Sequence, residues 1–306
     1  MPSAWTTTKR LAIATGKDAL EDDVPSMSAA IAYYTVFSLP PLLVVIVGVA
    51  GLIFGAEAVE QAIIDQVQGA VGPGAADEVG TMIEQRGGSL TGGLGAKLAG
   101  IAALLFGATG AFAQLQKALN RAWEVEDAES GGIVGVVMKR VLSFGMILTI
   151  AFLLLASLAL SAALTAVGNA AGDAIGGLPP GVMQALNLVV SLGVITVLFA
   201  LMFKILPDAE IAWRDVWVGA FVTAALFTVG KFLIGLYLGT ADPGSAFGAA
   251  GSLALILIWI YYTALIVLVG AEFTQHWANR LGEGIDAEGE PSDVHPVAQP
   301  RDPAPY

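Results

Sequence analysis

The chain alternates between long apolar runs and short polar connections. Six runs stand out, at about 28–55, 97–119, 138–167, 184–206, 215–239 and 247–275. Each is near or above the ~20 residues that a helix needs to cross ~30 Å of hydrocarbon. Helices are the predicted form, because lipid offers no partner to exposed backbone groups. The ~10-residue alternating segments of an outer-membrane barrel are absent. The predicted fold is all-α and polytopic, with about six transmembrane helices making one domain over residues 28–280.

The connections add detail. Residues 1–27 set Trp5, Leu11, Ile13 and Leu20 among Lys9, Arg10, Lys17 and Asp18. That pattern predicts an amphipathic leader helix lying on the membrane surface. It lacks the apolar stretch of a cleavable signal peptide. The run Asp22-Asp23-Val24-Pro25-Ser26 breaks the chain before the first span. Within 56–96, Val59, Ile63, Ile64, Val67 and Val71, then Val79, Met82 and Ile83, recur at helical intervals. This predicts a short helical hairpin outside the membrane, with the Gly-rich 87–95 segment as its return. Residues 281–306, rich in Pro, Asp and Glu, predict a disordered acidic cytoplasmic tail. Lys9, Arg10 and Lys17, then Lys117, Arg121, Lys139 and Arg140, then Lys204 and Arg214, then Arg280 fall on alternate connections. By the positive-inside bias, both termini are expected in the cytoplasm and the chain in the cytoplasmic membrane.

Composition narrows the chemistry. Apolar residues are 56% of the chain and charged residues 13%, with mean hydropathy +0.75. A soluble domain carries about 25% charged residues. Cysteine is absent and the histidines are His276 and His295 alone, so no metal site and no cofactor is expected. The net charge of −12 argues against a nucleic-acid partner, which needs a basic face. It reads equally as adaptation to high salt or as a few acidic loops with an acidic tail. The chain contains no P-loop, nucleophile elbow, HExxH or paired-acid motif within a span, so an enzyme is not expected.

Several intramembrane residues are candidates for a substrate or ion path. The first span contains Tyr33, Tyr34 and Ser38 followed by Pro40 and Pro41. Two prolines should kink or break the helix near Ser38–Leu39. Broken helices line transporter sites, although a neighbouring helix can also satisfy a structural kink. The last span contains Tyr261 and Tyr262. The two tyrosine pairs could meet in a hydroxyl-lined pocket near the cytoplasmic side, or form an interfacial aromatic belt. Lys231 lies about 24 Å into the fifth span from the cytoplasmic side. An intramembrane charge is a functional candidate, but a lysine can also snorkel outward. Glu272 is the acid of the last span and falls at its cytoplasmic end, so Asp173 and Asp242 are better placed to reach Lys231. Glycines recur throughout the spans and favour close helix packing, which would also permit a homo-oligomer.

Four segments carry a resemblance. They are Ala29 through Leu42, containing Tyr33-Tyr34-Thr35 and Pro40-Pro41; Leu115-Gln116-Lys117-Ala118-Leu119-Asn120-Arg121-Ala122-Trp123-Glu124-Val125; Leu206-Pro207-Asp208-Ala209 through Trp213-Arg214-Asp215 and Gly219-Ala220 to Gly230-Lys231; and Gly248 through Trp259-Ile260-Tyr261-Tyr262 to Gly270-Ala271-Glu272-Phe273. In this order and spacing, over about residues 20–280, the chain resembles the BrkB/YihY family of membrane proteins, historically mislabelled ribonuclease BN. The resemblance implies a roughly six-helix protein of the cytoplasmic membrane. It also implies a link to serum resistance, and to transport including cation/proton exchange, each proposed for some members.

The expected function is a secondary transporter or permease acting on an unknown ion, small solute or lipid. The alternatives are a non-catalytic membrane scaffold serving envelope integrity and, last, the hydrolase or ribonuclease of the old label. Membrane lipids are the expected partners.

Overall fold

The computed structural model describes residues 4–90, 110–125, 180–241, 250–281 and 285–287. The predicted span over 138–167, most of the one over 97–119, and Asp173 and Asp242 lie outside the described residues. The described residues form eight helices: α1 (Ala4–Glu21), α2 (Val24–Phe54), α3 (Ala56–Val71), α4 (Pro73–Leu90), α5 (110–122), α6 (Pro180–Ile205), α7 (Trp213–Ala241) and α8 (Gly251–Leu281). Two short strands, β1 (Ala209–Ile211) and β2 (Ile285–Ala287), complete them. Stretches of α6 (Leu188–Ile205), α7 (Trp213–Tyr237) and α8 (Gly251–Asn279) are long and apolar enough to cross a membrane.

The helix α2 runs unbroken through Pro40 and Pro41, so the break expected near Ser38–Leu39 is absent. Each proline forfeits one backbone bond. The Ser38 hydroxyl donates to the Thr35 carbonyl at 2.8 Å, and Val36, Ser38 and Leu43 are buried against neighbouring helices. A packed neighbour and a hydroxyl of this kind allow a proline-containing helix to continue.

Two apolar clusters divide the molecule. One joins α2, α3, α4, α7 and α8 through Leu43, Val71, Ala75, Val79, Ile83, Ile234 and Ile256. Here α3 and α4 pack on each other and on α2, turning at Gly55 (φ 87°) and Gly72 (φ 111°), where a side chain would be strained. The Ser252 hydroxyl donates to Glu78 Oε2 at 2.8 Å, tying α4 to the start of α8. The other cluster lies where α1, α2, α5, α6, α7 and α8 meet. Its aromatic rings link α5, α6 and α7: Trp123 meets Phe203 edge-on at 5.7 Å, and Phe199 meets Phe227 at 5.8 Å. The alanines Ala118, Ala122, Ala220, Ala224, Ala271 and Ala278 are fully enclosed there, which lets backbones approach closely.

The closest approach is between α7 and α8. Thr223 on α7 donates to its own helix's Gly219 carbonyl at 2.8 Å, and Thr274 on α8 does the same to Gly270 at 2.7 Å. Each threonine sits over the other helix's glycine: a Cβ built on Gly219 would run into Thr274, and one on Gly270 into Thr223. The two helices therefore interlock through a reciprocal glycine–threonine pair.

The ends of the chain gain contacts that the sequence did not indicate. The leader is a helix, α1, which buries Leu11, Thr15 and Ala19 and packs along α8. Ile13 and Leu20 remain exposed on its other side. Residues 285–287, expected within a disordered tail, pair antiparallel with β1, Ile285 opposite Ile211 and Ala287 opposite Ala209. Backbone hydrogen bonding, which needs no particular side chain, holds such a segment.

Candidate functional site

The tyrosines of the first and last spans each have identifiable neighbours. Tyr33 contacts Tyr34 at 5.5 Å and Phe37 at 4.8 Å, and is more than half exposed. The ring of Tyr34 packs against Gly110 of α5. Tyr262 points its hydroxyl at Gly230 of α7, one residue before Lys231. Tyr261 and Lys231 are half-buried. The side chains of Pro40 and Ser38 serve α2 itself. Of the residues singled out in the sequence, Glu272 alone enters a polar constellation.

That constellation sits at the α1 end of the bundle. Glu272 is 1% exposed, and among the described residues no donor reaches its Oε1. Its charged or acidic neighbours are Asp22, at hydrogen-bonding range, then Asp18 and Glu124. One turn further along α8, His276 Nε2 lies 2.9 Å from Asp18 Oδ2. The earlier acid of α1 thus faces the later residue of α8, and the later acid faces the earlier one. The helices run antiparallel, with two rungs about one turn apart. The i, i+4 spacing of Asp18 and Asp22, and of Glu272 and His276, puts each pair on one helix face. Arg121 approaches from α5, its Nε 3.6 Å from Asp22 Oδ1.

The backbone around these carboxyls is also specialised. Among the described residues, the non-glycine positions with positive φ are Asp23 (57°) and Glu124 (54°). Both flank the constellation. Glu124 ends α5: its N–H donates to the Arg121 carbonyl at 3.0 Å, and the Val125 N–H to the Asn120 carbonyl at 3.0 Å. These are the two bonds of a Schellman cap, with Glu124 in the left-handed position that glycine usually takes. A non-glycine residue there is strained by the order of 1 kcal/mol.

A second polar group fastens α5 beside it. Asn120 Nδ2 donates to Asp208 Oδ2 at 3.1 Å, while Asn120 Oδ1 accepts from the Asp208 backbone N–H at 2.9 Å. Gln116 Nε2 donates to Asp208 Oδ1 at 3.2 Å. Trp123 Nε1 donates to the Ala271 carbonyl at 3.0 Å, next to Glu272 in sequence. Lys204 donates to the Ile211 carbonyl at 2.8 Å, and Asp215 is buried in the first turn of α7, where a helix N-terminus favours an acid.

Sequence reasoning missed Asp18, Asp22, Asn120, Glu124, Asp208 and His276 as site residues. Asn120, Glu124 and Asp208 stood within the quoted motifs, and the two i, i+4 pairs were visible as spacings. What was not visible is that α1 folds back onto α8.

A bundle of long apolar helices with a buried carboxyl constellation at one end defines a multi-helix membrane protein. The chain belongs to the family described as Virulence factor BrkB, whose model matches residues 15–294. It is similar to a UPF0761 membrane protein of Stenotrophomonas maltophilia (strain K279a), 30% identical over 264 residues, covering 85% of this chain and 58% of that one. It is also similar to UPF0761 membrane proteins of Albidiferax ferrireducens, 29% identical over 192 residues (62% and 44%), and of Ralstonia nicotianae, 27% identical over 257 residues (82% and 55%). The chain spans about half the length of the curated relatives it matches. No solved structure matches it.

Proposed function

We propose that this protein is a secondary transporter or permease of the cytoplasmic membrane, with both termini in the cytoplasm and the Glu272 constellation at the cytoplasmic mouth of its path. The α3–α4 hairpin then lies at the opposite, outer end. The observation that carries the reading is the buried Glu272 carboxyl, with an oxygen that no donor among the described residues reaches, inside a long and mostly apolar helix. Such a group is costly in a membrane and is kept where an ion or proton must pass. Asp18, Asp22 and Glu124 extend it toward water. This arrangement favours a cationic or proton-coupled cargo over an anion, and gives Lys231 a secondary role.

The test is flux in proteoliposomes loaded with a pH-sensitive dye and challenged with a panel of cations and anions. Ion-dependent proton movement is expected, reduced at least about tenfold by Glu272→Gln and less by Lys231→Ala. Silence across the panel with folded protein, or full activity in Glu272→Gln, would overturn it. Silence would favour the scaffold reading.

A further inference from the structure

The rungs between α1 and α8 differ in what they need. At one rung a nitrogen faces an acid, His276 Nε2 lying 2.9 Å from Asp18 Oδ2, although among the described residues that nitrogen makes no hydrogen bond. The other rung sets carboxyl against carboxyl, and an ionised carboxylate has no proton to donate. With no donor at Glu272 Oε1 among the described residues, that rung is repulsive unless something positive lies within it. Among the described residues, the hydroxyls of Thr15 on α1 and Ser28 in the first turns of α2 are, like His276 Nε2, also buried without a hydrogen-bond partner.

We infer that Asp22 and Glu272 hold a single proton between them, and that this shared proton is what keeps α1 docked on α8. A metal ion fits less well. Arg121 already brings a cation to Asp22, and the described residues offer no group of three or more acidic or histidine side chains arranged to hold a metal. The ionisable groups around the pair are Asp18 from α1, Arg121 and Glu124 from the end of α5, and His276 from α8. From α2 comes Ser28, which does not titrate. The Lys17–Glu21 pair, at 3.0 Å, is on the solvent side of α1. Two further carboxylates and one guanidinium thus surround the pair, and the net negative surroundings retain the proton. Once it leaves, Asp22 and Glu272 repel each other, which weakens the hold of α1 on α8. The site is a proton-operated latch on the amphipathic helix, independent of whether the protein moves a solute.

The chain has no cysteine, so single thiols can report on α1. Ala19→Cys places one in the α1–α8 contact, and Ala12→Cys places one on the exposed side. The ratio of their labelling rates in membranes cancels the pH dependence of the thiol itself. The ratio is expected to be low in acid and to rise about tenfold as the medium turns alkaline. In Glu272→Gln or Asp22→Asn it should stay low throughout, because an amide donates to the remaining carboxylate without a shared proton. Infrared difference spectra of the full chain should contain a protonated carboxylic C=O band that titrates over the same range and is missing from Glu272→Gln. A flat ratio in the parent, a Gln variant that follows the parent, or spectra without that band would each overturn the latch.

Discussion

Opposite faces of α8 hold their neighbours by opposite means. Gly270 and Thr274 face α7, where two backbones approach until a single added methyl group would collide. Glu272 and His276 lie half a turn away and face α1, where the contacts are acidic, hydrogen-bonded and partly wet. The first interface is dry and short-range, and gains from every atom it encloses. The second contains a buried carboxyl, whose hold on its neighbour depends on what faces it. A helix that is fixed on one face and conditionally held on the other suits a part that must stay put while its partner moves. The lesson is that α7–α8 is the frame and α1–α8 the adjustable contact.

Breaking the frame should have the largest effect. Gly219→Ala should lower unfolding stability in detergent by about 1–3 kcal/mol or more through overpacking. Thr274→Ala in the same chain should recover little, since the Thr274 Cβ would itself sit 2.7 Å from the new methyl. Thr274→Gly should recover more. If Gly219→Ala is neutral, the helices are not locked as described.

Next is the clasp that holds α5 against both interfaces. Asn120→Ala removes a donor and an acceptor from buried Asp208. It should cost about 1–3 kcal/mol in the same assay. Asn120→Asp should be no better, because it sets a second carboxyl against Asp208.

The adjustable contact should respond differently. Glu272→Gln should leave unfolding stability within about 1 kcal/mol of the parent, since the amide can still hydrogen-bond Asp22, while removing activity. A loss as large as that of Gly219→Ala would make Glu272 a structural residue. Ser252→Ala, which removes the bond to Glu78, should cost about 1 kcal/mol, read out as faster proteolysis of the α3–α4 hairpin. Least of all, Lys17→Ala should change stability by no more than about 0.5 kcal/mol, because both partners of its ion pair are mostly exposed.

Much of this was legible in the chain. Apolar run length fixed where α2, α6, α7 and α8 would form, and the spacing of Val59 through Ile83 announced α3 and α4. Family membership was readable from four motifs, for a physical reason the structure supplies: they meet. Gln116 and Asn120 of the second motif grip Asp208 of the third, and Trp123 of the second bonds Ala271 of the fourth. Run length did not foresee the unbroken α2, because a proline's local cost is visible in sequence and the packing that outweighs it is not. Nor did it foresee β2, whose pairing is a matter of backbone position.

The sequence alone thus determined the membrane class, the family and the apolar helices among the described residues, since each depends on local apolar length or on residue order. Only the tertiary structure decided the site. Tyr34 and Tyr262 both stand in apolar runs, and only the fold sets the one against Gly110 and the other against Gly230. Asp18, Asp22 and Glu124 look like ordinary solvated charges until the return of α1 and the left-handed end of α5 bring them to Glu272. Whether a carboxyl is an inert surface charge or a proton site depends on what faces it, and that is set by contacts between residues as far apart in the chain as Asp18 and His276.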